Sequence, residues 1–209
     1  MHHIVNQIIS LAFQLLFAWL VLRYYQTKTY AVRYKYDTFG PRFWTGTVDA
    51  VVMWPIGFLF SLFYLFALPP LVSAIFVVIQ NLGWLVYTVV MHAKYGQTVG
   101  KMACKVRVID FATEQAMTVK QAFLREGIPM TINLILVAYE VACIVSGKFS
   151  AEAIARGDIV KSSAFWWMSV LPLAWFIAEV LTMLTNDKRR ALHDFIAGTV
   201  AVRTNLETT

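Results

Sequence analysis

The stretch that decides the fold is Arg42-Phe-Trp-Thr-Gly-Thr-Val-Asp49, which opens an apolar run reaching to Leu68. Such a run is long enough for a membrane helix, and an aspartate inside one is expensive. Insertion of an Asp at a helix centre costs about 2.5–3.5 kcal/mol, so the side chain faces other protein and is a functional candidate by default. Arg42 and Asp49 are seven residues apart, two helical turns. They therefore share one face about 10.5 Å apart along the axis, with Gly46 between them. Pro55 follows and frees a backbone carbonyl near the carboxylate.

The whole chain reads the same way. Of 209 residues, 59% are hydrophobic and 14% charged, and the mean hydropathy is +0.61. That is far more apolar than a soluble domain of this length needs. Five stretches have membrane-crossing length: Ile4–Leu22, Phe43–Leu68, Leu71–Ala93, Ile128–Ser146 and Ala164–Thr185. The second carries Asp49, the fourth Glu140 and the fifth Glu179. The first is not expected to be a signal peptide. No Lys or Arg precedes its apolar core, and no small-x-small cleavage site follows it. The expected fold is an all-α membrane protein, a polytopic bundle of five transmembrane helices with a small cytoplasmic β element.

Fifteen of the 18 Lys and Arg fall in residues 23–42, the 94–127 loop and the segment after 187. Positive-inside logic puts these in the cytoplasm, with the N-terminus outside and the C-terminus inside. The net charge of +6 then calls for anionic lipid at the cytoplasmic face, and nucleic acid is not expected as a partner. Leu68-Pro-Pro-Leu71 reads as a tight external turn and residues 147–163 as a short outer loop. Lys105–Asp110 and Thr199–Arg203 alternate polar and apolar residues and are expected to pair as strands. Thr118–Glu126 reads as a short amphipathic helix feeding the fourth span.

Counting depth along the helices puts Glu179 about 9 Å and Asn133 about 7–8 Å inside, close to the level of Asp49. The expectation is a polar pocket shared by Asp49, Glu179 and Asn133, with Gln80, Asn81 and Glu140 at a second level. Asp49 has two readings: an ion- or proton-binding carboxylate, or a staple paired with Arg42 or the 188–190 bases that holds helices in register. Other chemistry fails. Gly96-Gln-Thr-Val-Gly-Lys-Met102 is one residue short of a phosphate-binding loop and has Met where magnesium needs Ser or Thr, so its glycines read as a turn. The histidines lack metal-ligand spacing, the two cysteines lie on opposite sides, and no nucleophile elbow is present. No enzyme activity, cofactor or metal is expected.

Three motifs carry a family likeness. Gly40-Pro-Arg42 through Asp49-Ala, Tyr95-Gly-Gln-Thr-Val-Gly-Lys101 with Val106–Ile109, and Lys188-Arg-Arg-Ala-Leu-His193-Asp194 through Val202 together resemble the RDD family of bacterial and archaeal membrane proteins. The family is named for one arginine and two aspartates, which by resemblance fall on Arg42, Asp49 and Asp194. The likeness covers roughly residues 39–203. It implies an RDD membrane domain there, preceded by an extra helix and cytoplasmic linker at 1–38 and followed by a tail at 204–209. Phe39-Gly-Pro is not the family's usual lead-in to the arginine. Function is mostly unknown in this family; cation/proton exchange has been proposed for some members, and others resemble accessory partners of membrane machinery.

Two functions follow as expectations, both in the cell (inner) membrane. One is a small transporter, as a homo-oligomer, moving a monovalent cation against protons with Asp49 titrating and Asp194 or Glu179 assisting. The other is a non-catalytic accessory or scaffold subunit of a membrane complex. In both, His193-Asp194 is expected to fold back under the bundle, so that Asp194 and Asp49 compete for Arg42.

Overall fold

The structure is a computed structural model describing residues 2–63, 68–150, 153 and 163–207. Most of the expected 147–163 loop, and residues 64–67 at the end of the second expected span, lie outside the described residues. Five long helices cover the five apolar stretches: α1 (His2–Gln26), α2 (Phe39–Phe63), α3 (Pro70–Tyr95), α5 (Val119–Val145) and α6 (Ser163–Leu184). Two short helices, α4 (Val99–Ala103) and α7 (Leu192–Ala197), and two strands, β1 (Val106–Asp110) and β2 (Thr199–Arg203), complete the described elements. A single 3-10 turn at Val32–Tyr34 lies between α1 and α2. Among the described residues, three helices are long and apolar enough to cross a membrane: Phe39–Phe60, Pro70–Tyr95 and Val119–Val145. Ser169–Leu184 is apolar but shorter. The chain thus builds a mostly helical membrane bundle with one small sheet.

Local chemistry sets the helix ends. α3 stops at Gly96, which adopts φ 69° and so accepts the left-handed turn that other residues resist. Thr98 then caps α4, its hydroxyl accepting from the Lys101 N–H. α5 starts with a reciprocal cap: Thr118 N–H donates to Gln121 Oε1 at 2.8 Å, and Gln121 N–H donates to Thr118 Oγ1 at 3.2 Å. From there the helix runs through Pro129 without a break. The short helix expected at 118–126 is therefore the first two turns of the fourth long helix. Proline removes one internal hydrogen bond, and the cap together with packing on α3 outweighs that loss.

α3 and α5 pack most extensively on one another among the described helices, around Ala74, Val77, Val137 and Ile144. α1 packs on α2 and α4 through Ala18, Val21, Val48 and Ala103. Cys104 and Cys143 are buried, free thiols. The two strands pair antiparallel, with Val106 opposite Arg203 and Asp110 opposite Thr199, as their alternation leads one to expect. Val106, Val108, Met117, Ala122 and Ala201 close a small core beneath the sheet. This layer lies at the bundle end where α2 and α5 begin and α3 and α6 finish. It brings the 94–118 loop and the segment after α6 against the mouth of α2.

Candidate functional site

Asp49 lies in the third turn of α2 and is 5% exposed. Arg42 is not its partner. Tyr87 Oη and the Gly100 N–H both donate to Asp49 Oδ1 at 2.7 Å, and Thr98 Oγ1 donates to Oδ2 at 2.7 Å. The Val99 N–H donates in turn to Tyr87 Oη at 3.0 Å. A carboxylate that receives two hydroxyls and a backbone amide is held by charge-assisted hydrogen bonds, each stronger than a neutral one. Asp49 therefore ties α2 to α3 and to the start of α4. The glycine at 100 is required by this contact, since a Cβ there would lie 2.1 Å from Thr45 O and 2.8 Å from Asp49 Oδ2. The motif read as a membrane-surface turn is the loop that grips this aspartate.

Arg42, in the first turn of α2, reaches the opposite way. Its guanidinium meets Asp194 Oδ2 at 2.8 Å and donates to Arg189 O at 3.1 Å. Asp194 is fully buried and also pairs with Arg125 of α5. Thr199 Oγ1 and the Ala191 N–H each donate to it at 3.0 Å. Burial alone would raise the Asp194 carboxyl, but Arg125 and Arg42 outweigh it and hold the group well below the usual carboxylate range. Asp194 is thus a fixed anion under the bundle, clamped between α2 and α5.

His193 links this clamp to α6. Its Nδ1 lies 2.5 Å from Glu179 Oε2 and its Nε2 lies 3.0 Å from Arg42. Its backbone N–H donates to Glu179 Oε1 at 3.1 Å. Burial, then Arg125, pushes the imidazole below its ordinary value. A neutral ring satisfies the geometry, with Nδ1–H donating to Glu179 and Nε2 accepting from Arg42.

These groups line a cavity of about 390 Å³ that takes in Arg42, Lys101, Arg125, Glu126, Glu179 and His193. Burial, then Arg125, pushes the Lys101 amine down to about 8, although Asp49 and Glu126 pull against that shift. His92, 2% exposed on α3, stands with Nδ1 3.2 Å from Glu126 Oε1 without hydrogen-bond geometry. The expected pocket of Asp49, Glu179 and Asn133 is not formed. Glu179 lines this cavity, Asp49 lies outside its lining, and Asn133 lines separate cavities along α5. Equal depth along three helices fixes height but not azimuth, and the three side chains leave their helices in different directions.

A family model matches residues 36–198, described as the RDD family. The chain belongs to the RDD family. No curated protein and no solved structure matches the chain significantly. The RDD match closes at Gly198, so β2 lies beyond it while its partner β1 lies within. The family's arginine and two aspartates are here divided into two units. Arg42 and Asp194 form an ion pair, and Asp49 forms a separate latch.

Sequence reasoning missed Arg125, Glu126, Lys101, His92 and Tyr87 as parts of one assembly. Arg125-Glu126 had a readable signal, because it precedes the apolar run of α5 much as Arg42 precedes that of α2. His92 had none, being a lone histidine in an apolar helix.

Proposed function

We propose that this membrane protein exchanges a monovalent cation for a proton, at the cavity between α2, α5 and α6. The lining supports the reading. Glu126 and Glu179 set two carboxylates on the cavity wall, while Asp194 behind it is committed to Arg42 and Arg125, and Asp49 to its own donors. A carboxylate in a buried cavity is costly unless a cation or a proton serves it. Two species that satisfy one vacancy compete, and competition is the elementary requirement of exchange. The contact between Glu179 and His193 is the proposed seat of the exchanged species; Asp49 serves as the latch.

The proposed setting is the cell membrane, multi-pass, with the fifteen clustered bases and the sheet on the cytoplasmic side. The five long helices described would make a small transporter, so two or more copies are proposed to assemble. The test is proton flux in proteoliposomes carrying an internal pH dye and a sodium or potassium gradient. Flux that disappears in Glu179→Gln and persists in Asp49→Asn is the expected result. No flux from any gradient refutes exchange.

An accessory role is the second reading. Phe195 and Ile196 are 47% and 42% exposed on α7, beside Arg190 and Lys188, which stack on Phe111. A membrane partner that co-purifies through this surface, with no ion flux, would support it.

A further inference from the structure

A second cavity, of about 270 Å³, lies between α3 and α5. Glu126 lines both it and the exchange cavity, so one carboxylate stands at the boundary of the two. The walls of this chamber are mainly hydrocarbon, from residues such as Leu82, Leu85, Met130 and Leu134, with the indole of Trp84. Its remaining polar groups are few. Thr88 is buried and donates to Leu85 O at 3.0 Å. Asn81 Nδ2 donates to Val77 O at 2.9 Å, which leaves its carbonyl oxygen without a donor. Asn133 makes no hydrogen bond to any described residue, nor does either carboxylate oxygen of Glu126. A carboxamide and a carboxylate without protein donors, inside a membrane helix, lose several kcal/mol unless a guest or water serves them.

The chemistry of the lining restricts the guest. Glu126 favours positive charge at its end of the chamber, although Lys101 and Arg125 already face it from the exchange cavity. A bare metal ion leaving water needs oxygens on every side, and here most of the chamber wall is apolar. An ammonium group carried on an apolar body fits both halves of the chamber. Its N–H donors suit Glu126 and, across a bridging water, the Asn133 oxygen; its hydrocarbon meets Leu82 and Leu134, and Trp84 supplies the ring type that attracts cations most strongly. Pockets of this kind, apolar with a few placed polar groups, are the usual form of small-molecule sites.

We infer that the α3–α5 chamber is a binding site for a small organic monocation with an apolar body, held by Glu126 and Asn133. The inference deepens the exchange reading and rests on it for the purpose of the site, because an ammonium on Glu126 occupies a carboxylate that the exchange cavity shares. Occupancy itself is independent of transport and is tested by binding alone.

The test uses the full chain in nanodiscs, with phenethylammonium as the probe in equilibrium dialysis. 2-Phenylethanol serves as a neutral analogue of similar shape, and sodium chloride as the inorganic competitor. Saturable binding of one phenethylammonium per chain is expected. Glu126→Gln weakens it about tenfold, the worth of one charge-assisted contact, and Asn133→Leu weakens it about threefold or more. Elution profile and melting temperature show whether each variant is folded, and Asn133→Leu decides if Glu126→Gln is not. Equal binding of 2-phenylethanol, or unchanged affinity in the folded variants, overturns the site. Displacement of the probe by millimolar sodium overturns the choice of an organic cation. Binding as expected with no flux in proteoliposomes removes the exchange reading and leaves the site standing.

Discussion

Replacing Asp194 by asparagine tests the ion-pair clamp most directly. The side chain is fully buried and nearly isosteric with its replacement, so the change removes charge without opening a cavity. Two guanidiniums, from Arg42 and Arg125, then face each other with no anion between them. Breaking one buried pair costs about 3–5 kcal/mol because a charge is left uncompensated. Here one carboxylate serves two cations, so the expected loss lies toward the upper end, at about 4–5 kcal/mol. Some of it is recovered if Arg42 swings into the cavity and pairs with Glu179. Unfolding in mixed detergent micelles, followed by circular dichroism, measures the loss. Arg42→Gln, alone and combined with Asp194→Asn, completes the double-mutant cycle. Coupling of about 2 kcal/mol or more is expected, since Arg42 is destabilising once its anion has gone. A loss under about 1 kcal/mol, or additivity within about 0.5 kcal/mol, would refute the clamp.

The other predictions concern the latch, the lysine and the histidine. Gly100→Ala forces a Cβ into Thr45 O and the Asp49 carboxylate, and should cost about 3 kcal/mol or abolish folded yield on expression; wild-type melting would show the contact to be soft. Asp49→Leu leaves the Tyr87, Thr98 and Gly100 donors without acceptors and should cost about 3–6 kcal/mol, against a smaller loss for Asp49→Asn, which keeps one oxygen. Lys101 carries its charge at a cost at neutral pH, with its amine pushed from 10.5 to about 8. Between those values the unfolded chain binds the extra proton, so stability should rise with pH across that window. Lys101→Met should flatten the rise and stabilise by about 1–2 kcal/mol at pH 7, after allowance for water in the cavity. His193 titrates below its ordinary 6.5 when folded, so the unfolded chain takes the proton first. Its contribution is complete above pH 7 and declines as pH falls through 6.5, a dependence that His193→Gln should remove from the melting curves.

The helices and the sheet were legible because hydrophobic run length and strand alternation are local signals. The pairing β1–β2 joins segments about ninety residues apart, yet both strands announce themselves by period two. The site was legible in its members but not in its wiring. Arg42 and Asp49, two turns apart on one face, invite a pair. The structure refuses it, because Asp49 is met first by donors from Tyr87, Thr98 and Gly100. Two of those stand in a loop whose approach depends on the left-handed turn at Gly96 and on the missing side chain at Gly100. Neither consequence can be read from spacing along α2. Arg125 illustrates the same limit: a basic residue at a helix start reads as an inner-leaflet charge until Asp194 is seen to arrive beneath it.

The antiparallel pairing of β1 with β2 sets an order on assembly. Residues 191–203 leave the ribosome after every long helix, and they bring both the final strand and the only carboxylate that meets Arg42 and Arg125 among the described residues. Until then the mouth of the bundle carries two unmatched guanidiniums and an open strand edge. Nascent chains stalled before Asp194 should therefore be loose at that end and visible to proteolytic surveillance, whereas completed ones lock in a single closing step.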